Sequence, residues 1–144
     1  MKGGDLSNEV TPRILLVWEG ALGFCSDDRK YQKAVRKGQW DKAITYWYLN
    51  DMMVRRIDWL FYKKNVRIEV VTFTSDDLAG EIAGLLDGEN VPVSRVWYTT
   101  PEILSRKIAY MPDLAVVYDP EPHRWAAYGA KGRFITGVNQ LGEW

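Results

Sequence analysis

The sequence predicts an α/β domain built on a five-stranded parallel sheet with helices on both faces. Short apolar runs suited to buried strands alternate with longer runs whose apolar residues recur at helical spacing. The first run, Ile14-Leu15-Leu16-Val17-Trp18, is apolar at consecutive positions, as a strand covered on both sides must be. Helix-start residues then follow directly after the strands. A strand–helix–strand succession of this kind closes through right-handed crossovers.

Taken in order, Arg13 to Trp18 is the first strand, ended by a Glu19-Gly20 turn. Asp27 to Lys37 is highly charged and, with the Gly38 break, reads as a short exposed helix or an ordered insertion. A long helix is predicted from about Asp41 to Lys64, with Leu49, Met53, Ile57, Leu60 and Phe61 as its buried stripe. Lysines in its last turn complement the helix dipole, and Asn65 suits the exit. Val66 to Phe73 is the second strand, and Thr74 or Ser75 can cap the next helix, whose stripe is Leu78, Ile82 and Leu85. Asp87 to Asn90 forms a turn and Val91 to Tyr98 the third strand. Thr100-Pro101 opens a helix with a cap and a proline at its first position, and Met111-Pro112-Asp113 ends it. Leu114 to Tyr118 is the fourth strand, Pro122 to Tyr128 a short helix, and Arg133 to Thr136 the fifth strand. The same succession also fits a flavodoxin-like or other doubly wound fold.

At 144 residues the chain makes one domain. Acids and bases balance at 19 each, so no global field favours nucleic acid or membrane. No run approaches the roughly 18 apolar residues of a membrane span. Residues 1–12 are polar and read as a flexible leader, which makes the cytoplasm the expected location. The single cysteine, Cys25, agrees with a reducing compartment and reads as inert filler. Seven tryptophans and eight tyrosines exceed what a small core buries. Trp40, Tyr46, Trp47, Tyr48, Met52 and Trp59, placed on or near the long helix, predict an exposed apolar patch. A homo-oligomer, a dimer, with Trp47 or Tyr48 in the contact, would cover it. Arg29, Lys30, Lys33, Arg36 and Lys37 are diluted by Asp27, Asp28 and Asp41, so the run reads as a solvated face and not as a nucleic-acid surface.

Ligands of open parallel sheets sit beyond the carboxyl ends of the strands. The residues there are Val17 to Gly20, Thr72 to Ser75, Tyr98 to Thr100 and Asp119 to His123. The stretch Leu16-Val17-Trp18-Glu19-Gly20-Ala21-Leu22 resembles the first motif of the haloacid dehalogenase (HAD) phosphatases, an apolar strand ending in Asp-x-Asp-Gly-Thr-Leu. Val70-Val71-Thr72 is similar to the second motif, with Thr72 as the phosphate-binding hydroxyl. Lys107 best matches the basic residue of the third, Arg106 being the other choice, and Leu114 to Asp119 resembles the fourth. The resemblance covers Arg13 to Val138, including a helix–glycine–strand ending over residues 126–135. It implies a three-layer Rossmann-like fold over 13–144, the first strand between the fourth and second, and residues 24–48 as a small cap-like helical insertion.

The departures from that pattern decide the functional reading. Val17 stands where the family has its nucleophilic aspartate, which forms and releases an acyl phosphate. His123 replaces the second acid of the fourth motif and lies in a stiff turn between Pro120, Pro122 and the short helix. Magnesium prefers several oxygen ligands in octahedral geometry. Asp119 and the Glu19 carbonyl would be all that remained of its set. The sequence therefore implies a non-catalytic HAD-like protein that binds a partner or ligand or self-assembles, with Glu19 and Asp119 vestigial and no cofactor. The alternative is a residual magnesium-dependent phosphatase or nucleotidase acting on a small phosphorylated substrate. A small, tryptophan-rich chain of this kind would suit a bacteriophage genome.

Overall fold

The computed structural model describes residues 11–124 and 134–135. Strand β1 (Arg13–Val17) pairs in parallel with β4 (Arg67–Thr72) on one side and β6 (Leu114–Tyr118) on the other. β5 (Arg95–Tyr98) extends the sheet beyond β4. Beyond β6 lies β7, reduced to the two residues Phe134–Ile135. The order β5-β4-β1-β6-β7 is the one the resemblance implies, with the first strand central. The fifth strand, expected to be short over Arg133 to Thr136, is only the two-residue pairing Phe134–Ile135, so the five-stranded expectation is corrected to four parallel strands of full length among the described residues. The predicted helix over Pro122–Tyr128 is described only as a 3₁₀ turn at Pro122–Arg124. The leader over 1–12 and the glycine of the tail lie almost wholly outside the described residues.

Alternation along β1 explains its central place. Ile14, Leu16 and Trp18 face one core, Leu15 and Val17 the other, and all five are fully buried. Each large side chain buried this way contributes about 1.5–3 kcal/mol. On the first face, α3 (Asp51–Lys64) and α4 (Asp76–Gly88) contribute Met53, Ile57, Leu60, Leu78, Ile82 and Leu86. On the second, α5 (Pro101–Ile108) adds Leu104 and Ile108 against Val71, Trp97 and Val117. Ser75 caps α4 by accepting from the Leu78 amide at 3.1 Å, and Thr100 caps α5 through the Ile103 amide at 3.2 Å. Among the described residues no helix is long and apolar enough to cross a membrane.

The long helix predicted from Asp41 is broken. After α1 (Asp28–Arg36) come the four-residue α2 (Trp40–Ala43), a 3₁₀ turn at Ile44–Tyr46, and then a strand, β3 (Trp47–Leu49). β3 pairs antiparallel with β2 (Gly23–Cys25), so the segment returns to the end of β1 before α3 begins. Asn50 starts α3, its side chain accepting from the Met52 and Met53 amides at 3.2 and 3.3 Å. Leu49 therefore belongs to a strand, and Phe61, expected in the buried stripe, is 42% exposed. Trp47 is not on a helix surface: its ring packs 5.4 Å from both Trp18 and Tyr31. Tyr48, on the opposite side of β3, is exposed against Phe24. The third strand starts at Arg95 and not Val91, since the Pro92 nitrogen cannot donate to a ladder.

Candidate functional site

The carboxyl ends of β1, β4 and β6 converge on two carboxylates. Beyond β1 the chain turns tightly, the Gly23 amide donating to the Trp18 carbonyl and the Gly20 amide to that of Gly23. Gly20 has φ +88°, a left-handed conformation that favours glycine, and a Cβ there would stand 3.1 Å from the Pro120 ring. This turn aims Glu19 at the end of β4.

Glu19 is held by three donors. Thr72 Oγ1 donates to Oε2 at 2.5 Å, Thr74 Oγ1 to the same oxygen at 2.7 Å, and the Phe73 amide to Oε1 at 3.3 Å. Thr72 is fully buried. The hydroxyl that resemblance assigns to a phosphoryl oxygen is thus engaged by the chain's own carboxylate. Tyr31, brought in by α1, is buried beside this group. Burial first, and then the Glu19 charge, push its hydroxyl up to about 12, with a smaller opposing effect from Thr74.

Asp119 is fully buried at the end of β6. Its Oδ1 accepts from the Glu121 amide at 2.9 Å and from Arg124 Nη1 at 2.9 Å. The Arg124 guanidinium also lies 5.2 Å over the Phe73 ring, tying the β6 end to the β4 end. His123 turns outward, 75% exposed, with Nδ1 3.5 Å from a Glu121 carboxylate oxygen.

The residues singled out from the sequence thus divide. Glu19 and Thr72 meet directly, and Asp119 stands at the neighbouring strand end. Val17 is sealed in the apolar layer with Leu15, Val71 and Val117. Lys107 is exposed on α5 with its ammonium 4.7 Å above the Trp97 ring, and Arg106 is exposed beside it. Neither is placed on Thr72. Thr74 falls in the strand-end stretch Thr72 to Ser75 but reads from the sequence as a helix cap, while Tyr31 and Arg124 reach the site only through the tertiary fold.

Oxygens of both carboxylates are already engaged by the chain's own donors. A hard cation needs several free oxygens at one point. Glu19 Oε2 is bonded to two hydroxyls, Asp119 Oδ1 to a guanidinium, and Val17 offers none. Among the described residues no group of three or more His, Cys, Asp or Glu could hold a metal ion.

The raised Tyr31 predicts an alkaline response. Its folded pKa of about 12 lies above the ordinary tyrosine value of 10.0, so the unfolded chain loses its proton first as pH rises. The stabilisation is complete below the unfolded value and is lost as pH climbs through the folded one. Alkaline melts of Tyr31→Phe should therefore lose less stability between these values than wild type. Parallel curves would contradict this.

No protein-family model matches the chain, and no curated protein matches it by sequence. Among solved structures it is similar to the HAD domain of the effector protein Lem4 from Legionella pneumophila, an inactive mutant. The TM-score is 0.51 at 10% identity, covering 90% of this chain and 86% of that one. At that identity the likeness speaks for the fold alone, and it agrees with the strand order and the helix layers: the chain has a HAD-like α/β fold.

Proposed function

We propose that this chain is a non-catalytic HAD-like protein whose strand-end site is closed by its own side chains, and which works by binding a partner or ligand or by self-assembly. The observation that carries this reading is the Glu19 carboxylate bonded to Thr72 Oγ1 at 2.5 Å. A carboxylate in the phosphate seat repels a phosphoryl dianion, and Arg124 neutralises the one acid left for a metal. With Val17 in place of the nucleophile, the missing groups together remove several kcal/mol of transition-state stabilisation. The test is hydrolysis of p-nitrophenyl phosphate and nucleoside monophosphates with magnesium. No turnover above buffer is expected. Magnesium-dependent turnover that disappears in Asp119→Asn would replace this reading with a residual phosphatase.

The assembled form in this reading is a homo-oligomer, a dimer. Met52, Trp59, Phe61 and Tyr62 on α3, with Tyr48, are the exposed apolar groups that support it, and Trp47 is half-buried beside Tyr48. Sedimentation at micromolar concentration should give a dimer that Trp59→Glu with Tyr62→Glu dissociates. A monomeric wild type would defeat it.

A further inference from the structure

The insertion between β2 and β3 carries a second feature, separate from the strand ends. α1 and α2 frame an open surface cavity of about 210 Å³ lined by the exposed Lys30, Lys33, Lys37 and Lys42, with Gln39 and Tyr46. Lys30, Lys33 and Lys37 are spaced three and four apart, so they share one face of α1 and its C-terminal end. Lys42 comes from α2 and joins them only because the chain folds back at Gly38, where φ is +69°. The negative end of the α1 dipole accounts for Lys33 and Lys37, but not for Lys30 a turn earlier or for Lys42 on another helix.

Like charges gathered this way repel, and the nearby acids do not relieve them. Asp27 reaches Lys30 only at 4.0 Å. Asp28 accepts from Gln32, and Asp41 from the Lys42 backbone amide. Among the described residues no carboxylate pairs with Lys33, Lys37 or Lys42.

We propose that this cavity binds a short phosphate chain, of pyrophosphate or tripolyphosphate chemistry. Lysine ammoniums suit phosphate oxygens as point charges, and Gln39 and Tyr46 add neutral hydrogen-bonding groups. One phosphate brings about two negative charges, half of what four ammoniums call for. Two or three linked phosphates match them. The volume lies below the roughly 300–1,000 Å³ of pockets that enclose drug-sized molecules, which suits a phosphate chain without a body attached. The chain is either free or the exposed end of a nucleotide whose base stays outside.

The experiment is titration calorimetry of the full chain with tripolyphosphate at low salt. Saturable one-to-one binding is expected. Lys33→Gln with Lys37→Gln should weaken it about ten-fold or more, equivalent to about 1.4 kcal/mol. Arg29→Gln with Arg36→Gln removes the same charge from α1 outside the cavity and should leave affinity nearly unchanged. Melting curves confirm that both variants fold. ATP binding as tightly as tripolyphosphate identifies a nucleotide tail as the source, and inert ATP identifies the free anion. Absence of tripolyphosphate binding, equal losses in both variants, or binding of a single-stranded oligonucleotide alone would overturn the proposal. None of these outcomes depends on whether the strand-end site is catalytic.

Discussion

Glu19→Ala should lower the stability of the fold by about 2 kcal/mol, because it strips a buried hydroxyl of its acceptor. For a chain of this size that corresponds to a fall of about 6 °C in melting temperature. Thr72 is fully buried and donates to Glu19, and Thr74 Oγ1 and the Phe73 amide lose the same partner. The variant should also gain something wild type lacks. The three donors become an open anion seat, so inorganic phosphate should raise its melting temperature by mass action. Wild type should show no such shift. Adding Thr72→Val should abolish the phosphate effect and, by removing the orphaned hydroxyl, recover part of the lost stability. Equal phosphate shifts in wild type and variant would mean that Glu19 does not fill the seat.

A larger loss is expected from Asp113→Ala, at the amino end of the sheet. Asp113 accepts from Arg13 Nε and Nη2 at 3.0 and 2.8 Å and also from Arg67 Nη2. Both guanidiniums also approach Glu69, which accepts from the Trp97 indole at 3.0 Å. The network thereby links the residue before β6 with β1, β4 and β5. Removing Asp113 leaves two arginines against one carboxylate. Breaking a buried pair costs about 3–5 kcal/mol. Arg67 is 42% exposed, and the water around it brings the expected loss to the lower end, about 3 kcal/mol. Thermal and urea denaturation measure it. A loss below about 1 kcal/mol, the usual worth of a surface pair, would show that the network is only a solvated cluster.

The fold was legible where local and tertiary signals agree. β1 is apolar at every position because both its faces are covered, and Ser75 and Thr100 cap helices where a strand has just ended. The segment from Asp41 to Lys64 misled because Leu49 falls at helical spacing from Met53 and Ile57. Its counter-signals were Trp47-Tyr48-Leu49, alternating inward and outward, and Asn50 just before Asp51. Antiparallel pairing with β2 overrode the helical pattern. At the site, the motif positions of Glu19, Thr72 and Asp119 could be read from the chain. Their partners could not. Arg124 reaches Asp119 around a proline turn, and Tyr31 reaches Glu19 from an insertion whose path no spacing predicts. The lysine cavity was half visible, since spacing shows one charged face of α1, while Lys42 joins it only after the turn at Gly38.

The strand-end site is filled from within, by Glu19 at Thr72 and Arg124 at Asp119. A crystal structure grown with magnesium and phosphate tests it most directly. Both side-chain pairs are expected intact, with no density for metal or phosphate between β1, β4 and β6. Magnesium on Asp119 with Arg124 displaced, and phosphate on Thr72 with Glu19 swung away, would contradict it.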